Sequence, residues 1–586
     1  MSEDGLGLFK GKKLPDHIIG WELYDRGLQF NNQIQLQETV RNNENFYIGK
    51  QWEGVESNGL PTPQINFMKR VVGFLTALIT SDNIRVTASP MANVVGGKRY
   101  SDIVEIVNHE FEALVERINV AFQVREFARN AAVDGDGCMY TYWDPDIETG
   151  QTAKGGIVTE VVENTRVFFG NENDRRVQSQ PWIILAKREP VRTVKRRAKA
   201  NGVSTWNRIR TDDEATEHVD SAKNTDGNCT VCNLFWRDDD TGTIWCYEYT
   251  MDSTVKEPFD MDIKLYPFNW LNWDYIQDCY HGQAMISGLI PNQVFVNKAW
   301  AMTMLSIMRA AFGKVIYDNT RIRKWDNRVG GCIGVPGPIN NVAEIVDPPA
   351  LPPQVSQYIQ LAVEQTEQSL GATSVALGDT RPDNTSAIIA LQRAAATPSE
   401  MTKQNLYKSM EDLFRIYLEF MAEYYGKRYV EAPPTSQEQA AVTFAQEMNP
   451  DLQMPDTVPV EFDFKILKEH PVTIRLDVGG SAYYSEIAAT QTLDNLLQQG
   501  HISIVDYLER IPDSAIPGRR ALLEKKRHEL EMQQGMMPGQ DMGGPAPAGG
   551  LGTLTDMGMK GEISGGRGYG ALQRKINETG STAGMI

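Results

Sequence analysis

Cysteine is scarce in this chain of 586 residues. The six cysteines are widely spaced, which indicates free thiols in a reducing compartment rather than a disulfide framework. Cys229 and Cys232 have the spacing of half a zinc site, but the nearby candidates for further ligands are Cys246 and His218. Because both cysteines fall at the start of a predicted strand, we interpret them as structural thiols and expect no metal.

Long apolar runs are also lacking. The first residues have neither the basic segment nor the apolar segment of a signal peptide. The most apolar stretch, residues 294–308, contains Lys298 and falls short of the roughly 18 uncharged residues that a membrane span needs. We therefore expect a buried helix at this place, no membrane partner and a cytoplasmic origin.

Positive charge is in deficit. Lys and Arg number 58 against 76 Asp and Glu, which gives a net charge of −18. Tight non-specific binding of nucleic acid depends on Lys and Arg side chains that neutralise phosphates, so the composition excludes a protein that coats DNA. It does not exclude a protein past which DNA moves.

Motifs for catalysis and cofactor binding are missing as well. The sequence has no phosphate-binding G-x-x-x-x-G-K-[ST] loop, and its seven histidines show no metal-ligand spacing. A basic run at 187–199 has the composition of a solvated amphipathic helix, with a partner or DNA patch as the alternative. We therefore predict that the protein is not an enzyme and has no cofactor.

The hydrophobic pattern predicts an α+β fold. Helices are expected at 21–45, 66–80, 99–117 and 120–133, and strands at 84–88, 138–143, 156–162, 166–169, 182–187, 229–237 and 243–250. The next helix, 291–312, is expected to begin with Pro291 at its first position. It is apolar on nearly all sides, so it must be covered on several sides.

Smaller pieces are predicted after this helix. They are a β-containing insert at 314–353, a helix at 355–370, a loop of small residues at 372–384, a helical region at 385–425 with a break at 397–400, strands at 460–468 and 472–478, and helices up to 534 with a restart at Ser503. The last 52 residues are rich in Gly, which is typical of a flexible segment.

Several short motifs occur in a fixed order along the chain. They are Asn45-Phe46-Tyr47-Ile48-Gly49-Lys50-Gln51-Trp52, Pro63-Gln64-Ile65-Asn66, Leu265-Tyr266-Pro267-Phe268, Tyr280-His281-Gly282, the run 289–298, the run 371–387 and Gly480-Ser481. Together with the order of the elements, they resemble the portal (head–tail connector) proteins of tailed bacteriophages over about residues 20 to 534. The chain departs from that pattern in its Gly-rich tail, which shows no sign of the long helical barrel of some members.

The resemblance implies a portal-like architecture. Its expected divisions are an α/β wing at 1–280, a first stem helix at 281–313, a clip at 314–353, a second stem helix at 354–371, a tunnel loop at 372–384, a long kinked helix with wing strands at 385–480, a crown at 481–534 and a flexible tail at 535–586.

The resemblance also implies a function. Portal proteins form a ring, usually of twelve copies, at one capsid vertex of the virion, where DNA enters during packaging and leaves during ejection. The expected partners are double-stranded DNA without sequence specificity, the terminase large subunit, head–tail connector or adaptor proteins, and the major capsid and scaffolding proteins. The alternatives are another capsid or tail scaffold protein without a DNA channel, or an unrecognised enzyme.

Three groups of residues are candidates for these roles. The expected stem interface between subunits comprises Val294, Trp300, Met304, Leu305 and Met308. The expected docking surface of the clip comprises Arg321, Arg323, Lys324 and Arg328. The expected channel and tunnel-loop residues are Glu364, Glu367, Asp379, Arg381, Asp383 and Asn384. Residues 341–380 contain no Lys or Arg, so DNA in such a channel would meet neutral or negative walls.

Overall fold

A computed structural model describes residues 15–57, 59, 61–81, 84–90, 97–212, 227–311, 314–324, 333–340, 342–346, 354–372, 399–432, 458–469, 472–478, 493–494, 496–499, 501–511, 522–523 and 526. The chain forms two compact units, Met1–Gln491 and Thr492–Ile586. The first contains mixed helix and strand, so the predicted α+β class is confirmed at that level.

The helices of the first unit fall into an N-terminal group and a later group. The N-terminal helices are α1 (His17–Gln33), α2 (Leu36–Ile48), α3 (Phe67–Ile79), α4 (Gly97–Arg117), α5 (Val120–Asp134) and α6 (Val191–Ala200). The later ones are α7 (Met285–Ala311), α8 (Gln354–Ser369) and α9 (Glu400–Phe420), which continues into a π-helical turn at Met421–Tyr425.

The described strands of the first unit form six antiparallel sheets. They are β1 (Ile84–Pro90), β2 (Asp136–Asp144), β3 (Gly156–Val162), β4 (Val167–Phe169), β5 (Trp182–Pro190), β6 (Asn228–Arg237), β7 (Ile244–Tyr249), β8 (Thr254–Asp260), β9 (Phe268–Asn272), β10 (Asp274–Tyr275), β11 (Gly282–Gln283), β12 (Lys314–Tyr317), β13 (Ala343–Val346), β14 (Lys427–Ala432), β15 (Val458–Asp463) and β16 (Val472–Val478). The largest sheet has the order β4-β5-β6-β7-β8, and a second has the order β3-β2-β9. The others pair β1 with β16, β10 with β11, β12 with β13 and β14 with β15.

The main core lies between α3, α4, α5, α9 and the sheet β3-β2-β9, and it reaches the first half of α7. Two smaller cores flank the five-stranded sheet. Helix α1 covers one face of that sheet, where the ring of Tyr249 would lie 2.7 Å from a Cβ at Gly20, so only glycine permits this approach. Helix α6 packs Val194 and Ala198 over the other face.

Two predicted helix boundaries are wrong. The helix expected over 21–45 is two helices, because Gln35 adopts a left-handed conformation with φ of 53° and breaks the chain between α1 and α2. The helix expected to start at Pro291 starts at Met285, and Pro291 lies inside it. Pro291 is the seventh residue of α7, beyond the first turn in which proline is favoured, so it did not mark the first position.

The strand predictions were right for the local hairpin β6-β7 and for β2, β3 and β5. The pattern did not predict β8, β9 or β14. The strand expected over 460–468 ends at Asp463 and is followed by a short helix at Ile466–Glu469.

In the second unit, the predicted restart of a helix at Ser503 is confirmed. Helix α10 (Ile504–Arg510) begins with a capping box of Ser503 and Asp506.

Candidate functional site

Helix α7 has a buried half and an exposed half. Near its start, the side chains of Ile286, Leu289 and Val296 are buried in the main core. Phe295 is 52% exposed, and in the second half of the helix Met302 and Ile307 are 62% and 57% exposed. Large apolar side chains are therefore among the residues that this chain leaves uncovered, which matches the expectation that the helix needs neighbours on several sides.

Buried amide side chains anchor the first half of α7. Gln293 Nε2 donates to the carbonyl of Ile65 at 2.6 Å and to Asn297 Oδ1 at 2.9 Å. Asn297 Nδ2 donates in turn to Gln51 Oε1 at 2.6 Å, and Gln51 Nε2 donates to the carbonyl of Phe46 at 3.2 Å. The network pairs groups that would be costly to bury alone, so it fixes α7 on the N-terminal helices.

This network joins three motifs that lie far apart in the sequence. Gln51 belongs to the run 45–52, Ile65 to the run 63–66, and Gln293 and Asn297 to the run 289–298. The residue-type arguments assigned these amides no role. The signal that could have found them is the presence of these amide residues in two of the motifs, 45–52 and 289–298.

A buried carboxylate lies just before α7. Asp136 Oδ1 accepts hydrogen bonds from the backbone N–H of Gly282 and from Asn272 Nδ2, both at 2.7 Å. Asp136 Oδ2 lies 2.7 Å from His281 Nδ1, and both side chains are almost fully buried. These contacts connect β2 and β9 to the segment that leads into α7.

Helix α8 packs along α7. Asn292 Nδ2 donates to Thr366 Oγ1 at 3.0 Å, and Ile359 and Thr366 are buried. Glu364 is exposed and accepts a hydrogen bond from Gln360 Nε2 at 2.8 Å, whereas Glu367 is half-buried. The helix contains no Lys or Arg, so its charge is negative.

The insert between α7 and α8 contains the hairpin of β12 and β13, in which Lys314 pairs with Val346 and Tyr317 with Ala343. This confirms the β structure expected in the insert. Arg321 Nε lies 3.7 Å from Asp318 Oδ2, so its charge has a partner. Arg323 and Lys324 are exposed.

A family model described as phage P22-like portal protein matches residues 172–548, more than half of the chain. The chain belongs to this family. It is therefore a phage portal protein with a structural role, as the resemblance in its sequence implied. No curated protein matches the chain.

The predicted stem residues of this portal protein occupy two environments. Val294 and Trp300 are half-buried and pack against the main core of their own chain. Leu305 is half-buried, while Met304 and Met308 are exposed. Within a single chain, Val294 and Trp300 are therefore better buried than Met304 and Met308, which lie nearer the end of α7.

Other predicted residues lie outside the part of the chain that the structure describes. They are Arg328 of the clip and Asp379, Arg381, Asp383 and Asn384 of the tunnel loop, together with the expected helix break at Thr397 and Pro398.

The cysteines considered for the half zinc site lie in different apolar clusters. Cys229 and Cys232 are three residues apart on β6, so their side chains lie on opposite faces of the sheet, and Cys246 lies in a third apolar cluster. Burial raises the pKa of the Cys229 thiol to about 12, which keeps it protonated and unreactive. Within the described ranges, no group of three or more His, Cys, Asp or Glu side chains is placed to hold a metal ion.

None of the described helices is long and apolar enough to cross a membrane.

Proposed function

We propose that this portal protein assembles into a ring, of twelve copies by analogy with its family, at one capsid vertex and serves as the conduit for DNA packaging and ejection. The observation that carries the proposal is the exposed apolar surface of α7, which lies on opposite sides of the helix. Phe295 and Met302 lie on one side, and Met304, Ile307 and Met308 lie on the other. Water contact with this surface is unfavourable by about 25 cal/mol for each Å². In a ring, the stem helices of the neighbouring copies cover it on both sides.

The channel of the proposed ring is lined by α8 and by the tunnel loop at 372–384. The exposed carboxylate of Glu364 and the absence of Lys and Arg over residues 341–380 support this assignment. Phosphates that pass such a wall find no cation to bind, so DNA is not held in an electrostatic well. In the loop, Arg381 is flanked by Asp379 and Asp383, and Asn384 follows.

The insert is the proposed docking site for the terminase large subunit and for the head–tail connector proteins. The exposed side chains of Arg323 and Lys324 support this role, since neither forms a described ion pair, in contrast to Arg321. Arg328 belongs to the same basic group in the sequence. Major capsid and scaffolding proteins are the proposed partners of the wing.

Electron microscopy of the purified protein tests the ring. We expect closed rings with a central hole. Sheets, tubes or monomers without a hole would contradict the proposal and favour a capsid or tail protein without a DNA channel, whereas turnover of a substrate by the purified chain would favour an enzyme.

Charge reversal tests the docking role. We expect Arg323→Glu with Lys324→Glu to reduce packaging in vitro while rings still form. The matched control is Lys264→Glu with Lys427→Glu, two exposed lysines outside the insert, and it should package normally. Normal packaging by the double variant would exclude these two residues from motor docking.

A further inference from the structure

Helix α6 concentrates positive charge on one side of an acidic chain. Its ten residues, VRTVKRRAKA, include five cations and no acid. Val194 and Ala198 are buried against the five-stranded sheet, so the other side faces solvent. We call this side the basic face; it consists of Arg192, Lys195, Arg196 and Lys199. Lys195 is half-buried and the other three are exposed.

The charges of the basic face do not stabilise the helix that carries them. Arg192 and Arg196, like Lys195 and Lys199, are four residues apart, a spacing at which like charges destabilise a helix. Arg192 also lies in the first turn, where no acidic residue is present and where the helix dipole disfavours a cation. Lys199 is the exception, since its position in the last turn is favourable to the dipole and its ammonium lies 5.6 Å from the centre of the Trp206 ring.

The carboxylates near the basic face form ion pairs with arginines outside the basic face. Glu189 Oε2 accepts a hydrogen bond from Arg197 Nη1 at 2.9 Å, and Glu248 pairs with the same guanidinium. Asp212 Oδ1 lies 2.9 Å from Arg188 Nη2. Among the described residues, no carboxylate forms an ion pair with any cation of the basic face.

The chemistry of the basic face fits a nucleic acid better than a protein. Protein interfaces have an apolar centre and are depleted in lysine. The basic face has no exposed large apolar side chain, since Val191 is half-buried and Val194 is buried. Protein–DNA interfaces, by contrast, are polar and strongly positive, with many contacts from Arg and Lys to phosphate oxygens.

We infer that the basic face binds the phosphate backbone of duplex DNA without sequence specificity, as a second DNA contact distinct from the channel wall on α8. The inference rests on the proposed portal function for the presence of DNA near the protein. It does not require the chain as a whole to be basic, because the four cations act within the roughly 8–10 Å over which charges are felt at physiological salt.

The test uses the full-length protein and covalently closed circular duplex DNA. A closed circle cannot thread through a closed ring, so its binding reports contacts outside the channel. Four phosphate contacts predict a slope of about −3.6 for the logarithm of affinity against the logarithm of salt concentration, or roughly a hundredfold loss between about 50 and 200 mM. The variant Arg192→Gln, Lys195→Gln, Arg196→Gln, Lys199→Gln is expected to lose this slope and at least tenfold in affinity at the lower salt.

A control variant removes the same charge elsewhere. It carries Gln at four exposed lysines, Lys154→Gln, Lys264→Gln, Lys427→Gln and Lys465→Gln, and is expected to keep the wild-type slope. The double variant Arg192→Gln, Arg196→Gln is expected to show about half the slope, which preserves the test if the fourfold variant does not fold. Its thermal midpoint should equal or exceed that of the wild type, since a like-charge pair is removed.

Three outcomes would overturn the inference. They are no salt-dependent binding by the wild type, an unchanged slope in the α6 variants, and tighter binding of polyglutamate than of DNA, which would indicate an acidic protein partner. Imaging of the same samples separates the two proposals: rings without the slope contradict only this inference, and the slope without rings contradicts only the portal ring.

Discussion

At the residue scale, one buried carboxylate connects the sheet β3-β2-β9 to the start of α7. Asp136 accepts hydrogen bonds from Gly282 and Asn272 and pairs with His281. Each of these groups would be left without its partner if the carboxylate were removed. The orientation of the long helix therefore depends on a residue that lies about 150 positions earlier in the chain.

Removal of this carboxylate is expected to destabilise the fold severely. Asp136→Ala should lower the free energy of unfolding by about 3–5 kcal/mol, because it removes the carboxylate partner of the buried His281, of Asn272 Nδ2 and of the Gly282 N–H. Urea unfolding followed by tryptophan fluorescence measures the change. The exposed Asp274 on the adjacent strand provides a control, and Asp274→Ala should stay within about 0.5 kcal/mol of the wild type. Equal unfolding midpoints for both variants would refute the role of Asp136.

A second carboxylate makes the stability dependent on pH. The pKa of Asp134 is raised to about 7, and burial is the largest cause. The charges of Glu44 and Glu163 also raise this pKa, and the Arg129 guanidinium lowers it. Asp134 thus holds its proton more tightly in the folded chain than in the unfolded chain. Its contribution to stability is complete below about pH 4 and is lost as the pH rises to about 7, at about 1.4 kcal/mol for each unit of the pKa difference.

Asp134→Asn removes this titration. Relative to the wild type, the variant should become progressively more stable between pH 4 and pH 7, and the difference should then stay constant at higher pH. Urea unfolding of both proteins at a series of pH values measures it. A difference that does not vary with pH would mean that Asp134 does not titrate in this range.

At the element scale, α7 is anchored in the core of its own chain and also exposes large apolar side chains, as helices at subunit interfaces do. The exposed residues Met302 and Ile307 are the sharpest probes, since they contribute little to the core of their own chain. We expect Met302→Asp or Ile307→Asp to prevent ring formation, because each places a charge where about 1.5–3 kcal/mol of apolar burial was expected, once in every copy.

Sedimentation velocity distinguishes rings from single chains in this experiment. Ile18 is similarly exposed on α1, so Ile18→Asp is the matched control and should leave rings intact. The thermal unfolding of the separated Ile307→Asp chains should match that of wild-type single chains. Rings of normal stability in both α7 variants would place the interface elsewhere.

At the scale of the whole molecule, net charge and channel function are linked. Each copy carries a net charge of −18, and the exposed Glu364 on α8 adds to a wall without Lys or Arg. In the proposed ring, the work of translocation then comes from the packaging motor, while the portal guides and anchors the DNA.

Reversal of charge on α8 should slow DNA passage. Glu364→Lys with Glu367→Lys creates a phosphate contact in each subunit, so the packaging rate should fall at low salt and recover as salt is raised. The variant with Gln at both positions removes the acids without adding cations and should package at nearly the wild-type rate. Wild-type speed of the Lys variant at low salt would show that these side chains do not face the DNA.

The sequence was informative where structure is local. The spacing of Val71, Leu75 and Leu78 predicted α3, and the turn signal at 238–242 predicted the hairpin of β6 and β7. Pairing between distant strands produces no periodic pattern in the amino-acid sequence. The pairing of β1 with β16 and the existence of β14 could therefore not be predicted. The buried amides of α7 were missed for the same reason: Gln293 and Asn297 become a site only when Gln51 reaches them.

The pairing of β1 with β16 constrains the time at which the fold can be completed. Thr87 and Arg475 face each other across this sheet, although 388 positions separate them. At about 5–20 residues per second, a ribosome needs roughly 20–80 seconds to add the second strand after the first has emerged. During that interval β1 waits with an open edge, a template for pairing with other chains. Nascent chains on one polysome are therefore at risk of exchanging strands, and sparse loading of ribosomes on the message should increase the yield of correctly folded protein.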